Sequence, residues 1–171
     1  MPATYEPIAT TTISSATASY TFSSIPATYT DLKLVTNIRS DRGGYSAELQ
    51  IQINGNTGAN YSHTGLFGDG TSATSSRIAS GTYITASSIA GDLSDANLFT
   101  LTMIDFFSYS GSTNKTILAS SGSQPRLSEN YSQRVVGLFR STAAITSITL
   151  STNGTNIMAG TVISLYGIKA A

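Results

Sequence analysis

The chain contains no cysteine, which excludes disulfides, thiolate metal sites and a cysteine nucleophile and leaves the fold to be held by packing alone. Charge is scarce as well. Asp, Glu, Lys and Arg make up 11% of the 171 residues, less than half of the roughly 25% found in an ordinary soluble domain. The formal net charge of +0 leaves no long-range field to gather nucleic acid or anionic lipid, and so argues against free DNA or RNA as a partner. No stretch approaches the roughly 20 apolar residues of a membrane helix, and the opening MPATYEPIATTTISS lacks a basic segment followed by an apolar core. These absences predict a protein made and assembled in the cytosol, without a membrane partner. Helical spacing is missing too, in every window of about 12 residues.

What replaces charge is hydroxyl: Ser and Thr supply nearly a third of the chain. What replaces helical spacing is alternation. In DLKLVTNIRS, Leu32, Leu34, Thr36 and Ile38 share one face while Lys33, Val35, Asn37 and Arg39 point the other way. SAELQIQING places Leu49, Ile51 and Ile53 inward and Glu48, Gln50 and Gln52 outward, then stops at Asn54-Gly55, a pair suited to the positive φ angles of a tight turn. Further strands are expected in ASYTFSSI, in RIASGTYITA around Ile78 to Ile84, in NLFTLTMIDFF, in NKTILASS, in SQRVVGLFRS, and in the two runs of the closing ITSITLSTNGTNIMAGTVISLYGIKAA. The pattern predicts an all-β fold, a jelly-roll or Greek-key β-sandwich of about eight to ten strands, formed by one domain over residues 1–171. NGNTGANYSHTGLFGDGTSATSS and SSGSQPRLSENYS read as long loops.

Two strands are apolar on both faces, TVISLYGIK and NLFTLTMIDFF. Either these are central strands whose second face a loop or helix covers, or that face is an intersubunit surface. The terminal strand is expected to be sealed inside the sandwich or against a neighbouring copy rather than left as a bare edge.

Catalytic motifs are absent. The single histidine, His63, has no Gly-x-Ser-x-Gly elbow or convergent acid to make it a catalytic base, and local hydrogen bonding by a loop histidine is the simpler account. GDGTSA, Gly68 to Ala73, matches a dinucleotide fingerprint in form only, since no helix pattern follows it. Asp92 and Asp95 read as turn formers. Asp105 sits among Met103, Ile104, Phe106 and Phe107 and must be paired, exposed or raised in pKa; Arg126, Arg134 and Arg140 are candidate partners. A calcium site from Asp69, Asp41 or loop carbonyls has no EF-hand spacing behind it. Four Asn-x-Ser/Thr sequons, at Asn60, Asn114, Asn130 and Asn153, are what a chain this rich in hydroxyls produces by composition. No catalytic residue, cofactor or metal ligand is therefore expected. Tyrosine combines apolar area with a hydroxyl and suits subunit or sugar contacts. Tyr45, Tyr61 and Tyr131, with His63, are the candidate partner or glycan contacts.

YTFSSIPATYTDLKLV, FRSTAAITSITL and the terminal AGTVISLYGIK resemble a recurrent pattern in small β-sandwich virion proteins of tailed bacteriophages, including phages of marine bacteria and cyanobacteria. The likeness covers both ends of the chain better than its middle and is carried by hydrophobic and turn patterns. It implies a virion protein assembled in the host cytoplasm, most of all a capsid decoration or cement protein. Its partners would be the major capsid protein or other virion proteins, and its own state a homo-oligomer, with a trimer favoured. The alternative it implies is a head or tail fibre adhesin that binds host-surface carbohydrate. An enzyme such as a glycan depolymerase ranks third, because no spacing brings two carboxylates together.

Overall fold

The structure is a computed structural model describing residues 4–126 and 129–169, among which there is no helix. Twelve strands follow one another: β1 (Tyr5–Thr12), β2 (Ser19–Phe22), β3 (Asp31–Ile38), β4 (Ser46–Ile53), β5 (Tyr61–Gly68), β6 (Ala73–Gly81), β7 (Ile84–Ala90), β8 (Thr100–Phe107), β9 (Lys115–Arg126), β10 (Glu129–Phe139), β11 (Ile148–Thr152) and β12 (Val162–Ile168). They form two antiparallel sheets of unequal width, one ordered β1-β12-β3-β8-β9-β10-β5-β6 and the other β2-β11-β4-β7. Together they enclose one core and make a β-sandwich.

Alternation decides which side chains enter that core. Leu32, Leu34 and Ile38 of β3, Leu49, Ile51 and Ile53 of β4, and Ile163 and Leu165 of β12 are all fully buried. The terminal strand is an interior strand, paired on one side with β1 and on the other with β3. Gly167 gives it a close approach at its end, since a Cβ there would meet the ring of Tyr29. Lys169 then fastens the strand to β1 through a 2.8 Å ion pair with Glu6, and lies 5.6 Å from the centre of the Tyr29 ring.

The two expected long loops contain strands. Tyr61, His63 and Gly65 alternate inward along β5, and Gly68 to Ala73 forms the tight link to β6. There the Asp69 carboxylate accepts hydrogen bonds from the backbone N–H groups of Thr71 and Ser72 at 2.8 and 2.7 Å, which holds its pKa well below the carboxylate range. The second stretch extends β9 and β10 into a long hairpin. The expected strand from Ile78 to Ile84 is divided, because the chain leaves the wide sheet at Gly81 and enters the narrow one at Ile84. These divisions raise the strand number from the expected eight to ten to twelve. Asn54 and Gly55 take φ of 54° and 62° as expected, but their turn carries the chain from β4 across to the other sheet instead of closing a hairpin.

Candidate functional site

Two surfaces of the wide sheet are left uncovered. The first is the outer face of the wide sheet. Strand registers align its outward residues in transverse rows: Val35, Met103, Ser120, Arg134 and Leu66 in one, Lys33, Asp105, Leu118, Val136 and Thr64 in the next. Leu101 at 49%, Met103 at 39%, Phe107 at 42%, Val136 at 53% and Leu66 at 62% exposure all stand on this face. No strand of the narrow sheet lies over them. Asp105 is paired with Lys33, the residue opposite it on β3, rather than with an arginine. That pair neutralises charge in the middle of the face. Arg140 is used elsewhere, donating to the carbonyls of Ala59 and Tyr61, and the side chain of Arg126 lies outside the described residues.

Gly122, Ser120 and Ser132 leave a depression of about 240 Å³ beside Leu101 and Met103. A second hollow of about 420 Å³ lies between Val136, Leu138, Thr64 and Arg77. The face is therefore a relief of apolar knobs and hydroxyl-lined dips. With strands about 4.8 Å apart and about 3.4 Å per residue, eight strands of eight residues span about 900 Å². That matches the roughly 800 Å² each partner contributes to a standard protein interface.

The second uncovered surface is an overhang. β7 is the edge of the narrow sheet and crosses beneath β5, β8, β9 and β10, whereas β6 lies beyond it with Ala73 to Ser80 exposed on both faces. Side chains from the wide sheet patch part of the bare β7 edge: Gln133 Oε1 accepts from Ser88 N at 2.7 Å and Thr100 Oγ1 from Ala90 N at 2.9 Å. Farther along, the space between β6 and β7 stays open as a cavity of about 480 Å³.

His63 lines this cavity as well as the hollow beside Val136. It is a strand residue only 8% exposed, not a loop histidine, and its Nδ1 has no hydrogen-bond partner. Burial pushes its pKa down from the ordinary value near 6.5, against the opposing pull of the Glu48 carboxylate. Tyr61 belongs to the core: its exposure is 0%, its ring stacks on Phe139 at 4.8 Å, and its hydroxyl accepts from Ile53 N at 3.0 Å and donates to Asn56 O at 3.0 Å. Its buried ring presents no surface. Tyr45 is 42% exposed on the loop before β4, and Tyr131 rests half-buried with its ring 5.0 Å from that of Phe67. The structure thus does not bring the four residues into one site.

Asp41 and the backbone of the Asp92–Asp95 loop serve contacts within the fold. Asp41 accepts from the backbone and side-chain amides of Asn156 at 2.7 and 2.8 Å. The loop containing Asp92 and Asp95 presents its carbonyls to the Arg39 guanidinium. Among the described residues no group of three His, Asp or Glu side chains is placed to hold a metal ion. Nor, among the described residues, is any helix long and apolar enough to cross a membrane.

The chain matches no known protein-family model and no curated protein sequence.

Proposed function

We propose that this protein is a non-enzymatic structural subunit of a virus particle, a capsid decoration or cement protein that docks the outer face of its wide sheet onto neighbouring subunits. One observation carries the reading: Leu66, Leu101, Met103, Phe107 and Val136 are exposed together on a broad sheet face that also carries Arg77, Arg134 and the Lys33–Asp105 pair and that no described segment of the chain covers. Covering such a face adds apolar burial across subunit joints, and the mutual attraction of Lys33 and Asp105 offsets part of the cost of desolvating them. The virion assignment rests on the resemblance of three segments. In the fold those segments supply adjacent strands, with β2 beside β11 and β3 beside β12.

The test uses purified particles with and without the protein, heated mildly while released DNA is measured. Particles lacking it are expected to open at lower temperature and to regain resistance when it is added back. The double variant Leu101→Glu, Val136→Glu alters exposed positions only, so it should keep the wild-type fold but fail to attach. Equal heat resistance with and without the protein, or full attachment of the double variant, would refute the proposal.

A further inference from the structure

We infer that the cavity between β6 and β7 is a binding site for a neutral saccharide unit. Glu48, His63, Ser76, Ile78, Tyr83 and Thr85 converge on it, and its volume of about 480 Å³ lies within the roughly 300–1,000 Å³ of small-molecule sites.

The lining states what fits. Ser76, Ser80, Thr82 and Thr85 bring four side-chain hydroxyls, of which Ser80 already donates to the Ala59 carbonyl and is left to accept, while the other three can donate or accept. Glu48 brings a carboxylate with no hydrogen-bond or ion-pair partner among the described residues, able to accept from two neighbouring hydroxyls at once. Tyr83 and the 46% exposed Ile78 supply apolar surface for a face of C–H groups. A pyranose ring has both properties, hydroxyls around its rim and C–H groups on its faces. No cation lines this cavity; Arg77 lines the hollow on the opposite side of the sheet. A phosphate, sulfate or uronic acid would therefore meet the Glu48 charge without compensation.

An independent feature also points to a ligand. His63 is the only histidine in the chain, is more than nine-tenths buried, lines this cavity and leaves Nδ1 without a partner. Buried polar atoms are nearly always satisfied; this one is closed off from solvent beside the cavity, so a ligand hydroxyl satisfies it once the imidazole turns Nδ1 toward the opening. The mouth of the cavity is open, because β6 is an edge strand exposed along its length, and only the His63 ring has to move for its Nδ1 to meet a ligand.

The inference is independent of particle docking and is read on the isolated protein. The full chain is titrated with methyl glucoside, methyl galactoside, methyl mannoside and N-acetylglucosamine, with glucuronate as the anionic control. Saturation-transfer NMR detects binding, and the ring nitrogens of the single histidine report its place. At least one neutral sugar is expected to bind and to shift the His63 resonances. Glu48→Ala and Tyr83→Ala should each weaken it at least tenfold at unchanged melting temperature, and Ser80→Trp, placed on exposed β6, should block it. No binding by any neutral sugar at tens of millimolar, tighter binding of glucuronate, or equal binding by the three variants would overturn the inference.

Discussion

Replacing Arg39 by Met should destabilise the protein by about 3 kcal/mol. The guanidinium donates from Nη1 to the carbonyls of Asp95 at 2.8 Å and Leu98 at 3.3 Å, and from Nη2 to those of Asp92 and Ser94, each at 3.1 Å. Each hydrogen bond to a charged group contributes about 1.5–3 kcal/mol net, so simple addition would give at least 6. Two effects reduce that figure. Most side chains from Asp92 to Asn97 are exposed, so the released carbonyls can turn to water. Methionine also spares the cost of keeping a charge in a site where Arg39 is 6% exposed and its Nε lacks a partner. About 3 kcal/mol remains, equivalent to a fall of roughly 6–12 °C in Tm for a domain of this size. Thermal denaturation measures the total. Amide exchange at Asp92, Leu93 and Ser94, whose N–H groups bond to Arg42, Gly44 and Gly91, locates it. Arg39→Lys keeps the charge without the fork and should fall between the two. A Met variant within about 1 kcal/mol of wild type, with exchange in this loop unchanged, would refute the reasoning.

Gly167→Ala drives a methyl into the Tyr29 ring and should cost about 1–3 kcal/mol; a double variant with Tyr29→Ala should lose less than the two single losses combined, as urea denaturation will show. Tyr61→Phe removes the oxygen that accepts from Ile53 N and should cost about 1–3 kcal/mol, also read from urea midpoints. For His63 the folded pKa lies below the ordinary value near 6.5, so the unfolded chain binds its proton first as pH falls. Stability should therefore fall as the pH drops through the ordinary histidine value near 6.5 and on toward the lower folded pKa, and His63→Gln should lose less over the same range. NMR titration of the single histidine should return a pKa below 6.5.

Strands buried on one face were legible wherever alternation was clean, as in Leu32 to Ile38 and Leu49 to Ile53. β1 was not, because YEPIATTT carries a proline and a bulge between Pro7 and Ala9 that break the period. β5 and β6 were hidden by their own composition. Glycine and serine serve there as strand residues, which local turn chemistry cannot distinguish from a loop. Alternation also placed Arg39 with the outward residues of β3, yet the strand ends at Ile38 and the next side chain is free to fold over the sheet end toward the Asp92 loop. Asp105 stood out as a carboxylate needing a partner, and Lys33 was already assigned to a wet face. Only the non-local register of β3 against β8 brings the two together. The same limit applies to the overhang cavity: Glu48, His63 and Tyr83 come from three parts of the chain, and no spacing records their meeting.

The contrast between β6 and β8 bears on what covers the outer face. A four-stranded sheet spans about 14 Å across its strands and an eight-stranded one about 34 Å, so part of the wide sheet must go without an opposing strand. Loop residues Ile13, Ile25, Ile145 and Ile157 are drawn into the core as additional cover. β6 receives none, and its sequence ATSSRIASG is composed almost wholly of small and hydroxyl side chains, as a strand wet on both faces requires. The chain thus supplies hydroxyls where a face stays in water. β8 lies in the middle of the same sheet, and if its outer face also stayed in water it should carry similar residues. It carries Leu101, Met103 and Phe107 around the paired Asp105 instead, all three exposed and with no described segment of the chain over them. That departure within one sheet is the physical reason to look for the missing cover on another polypeptide.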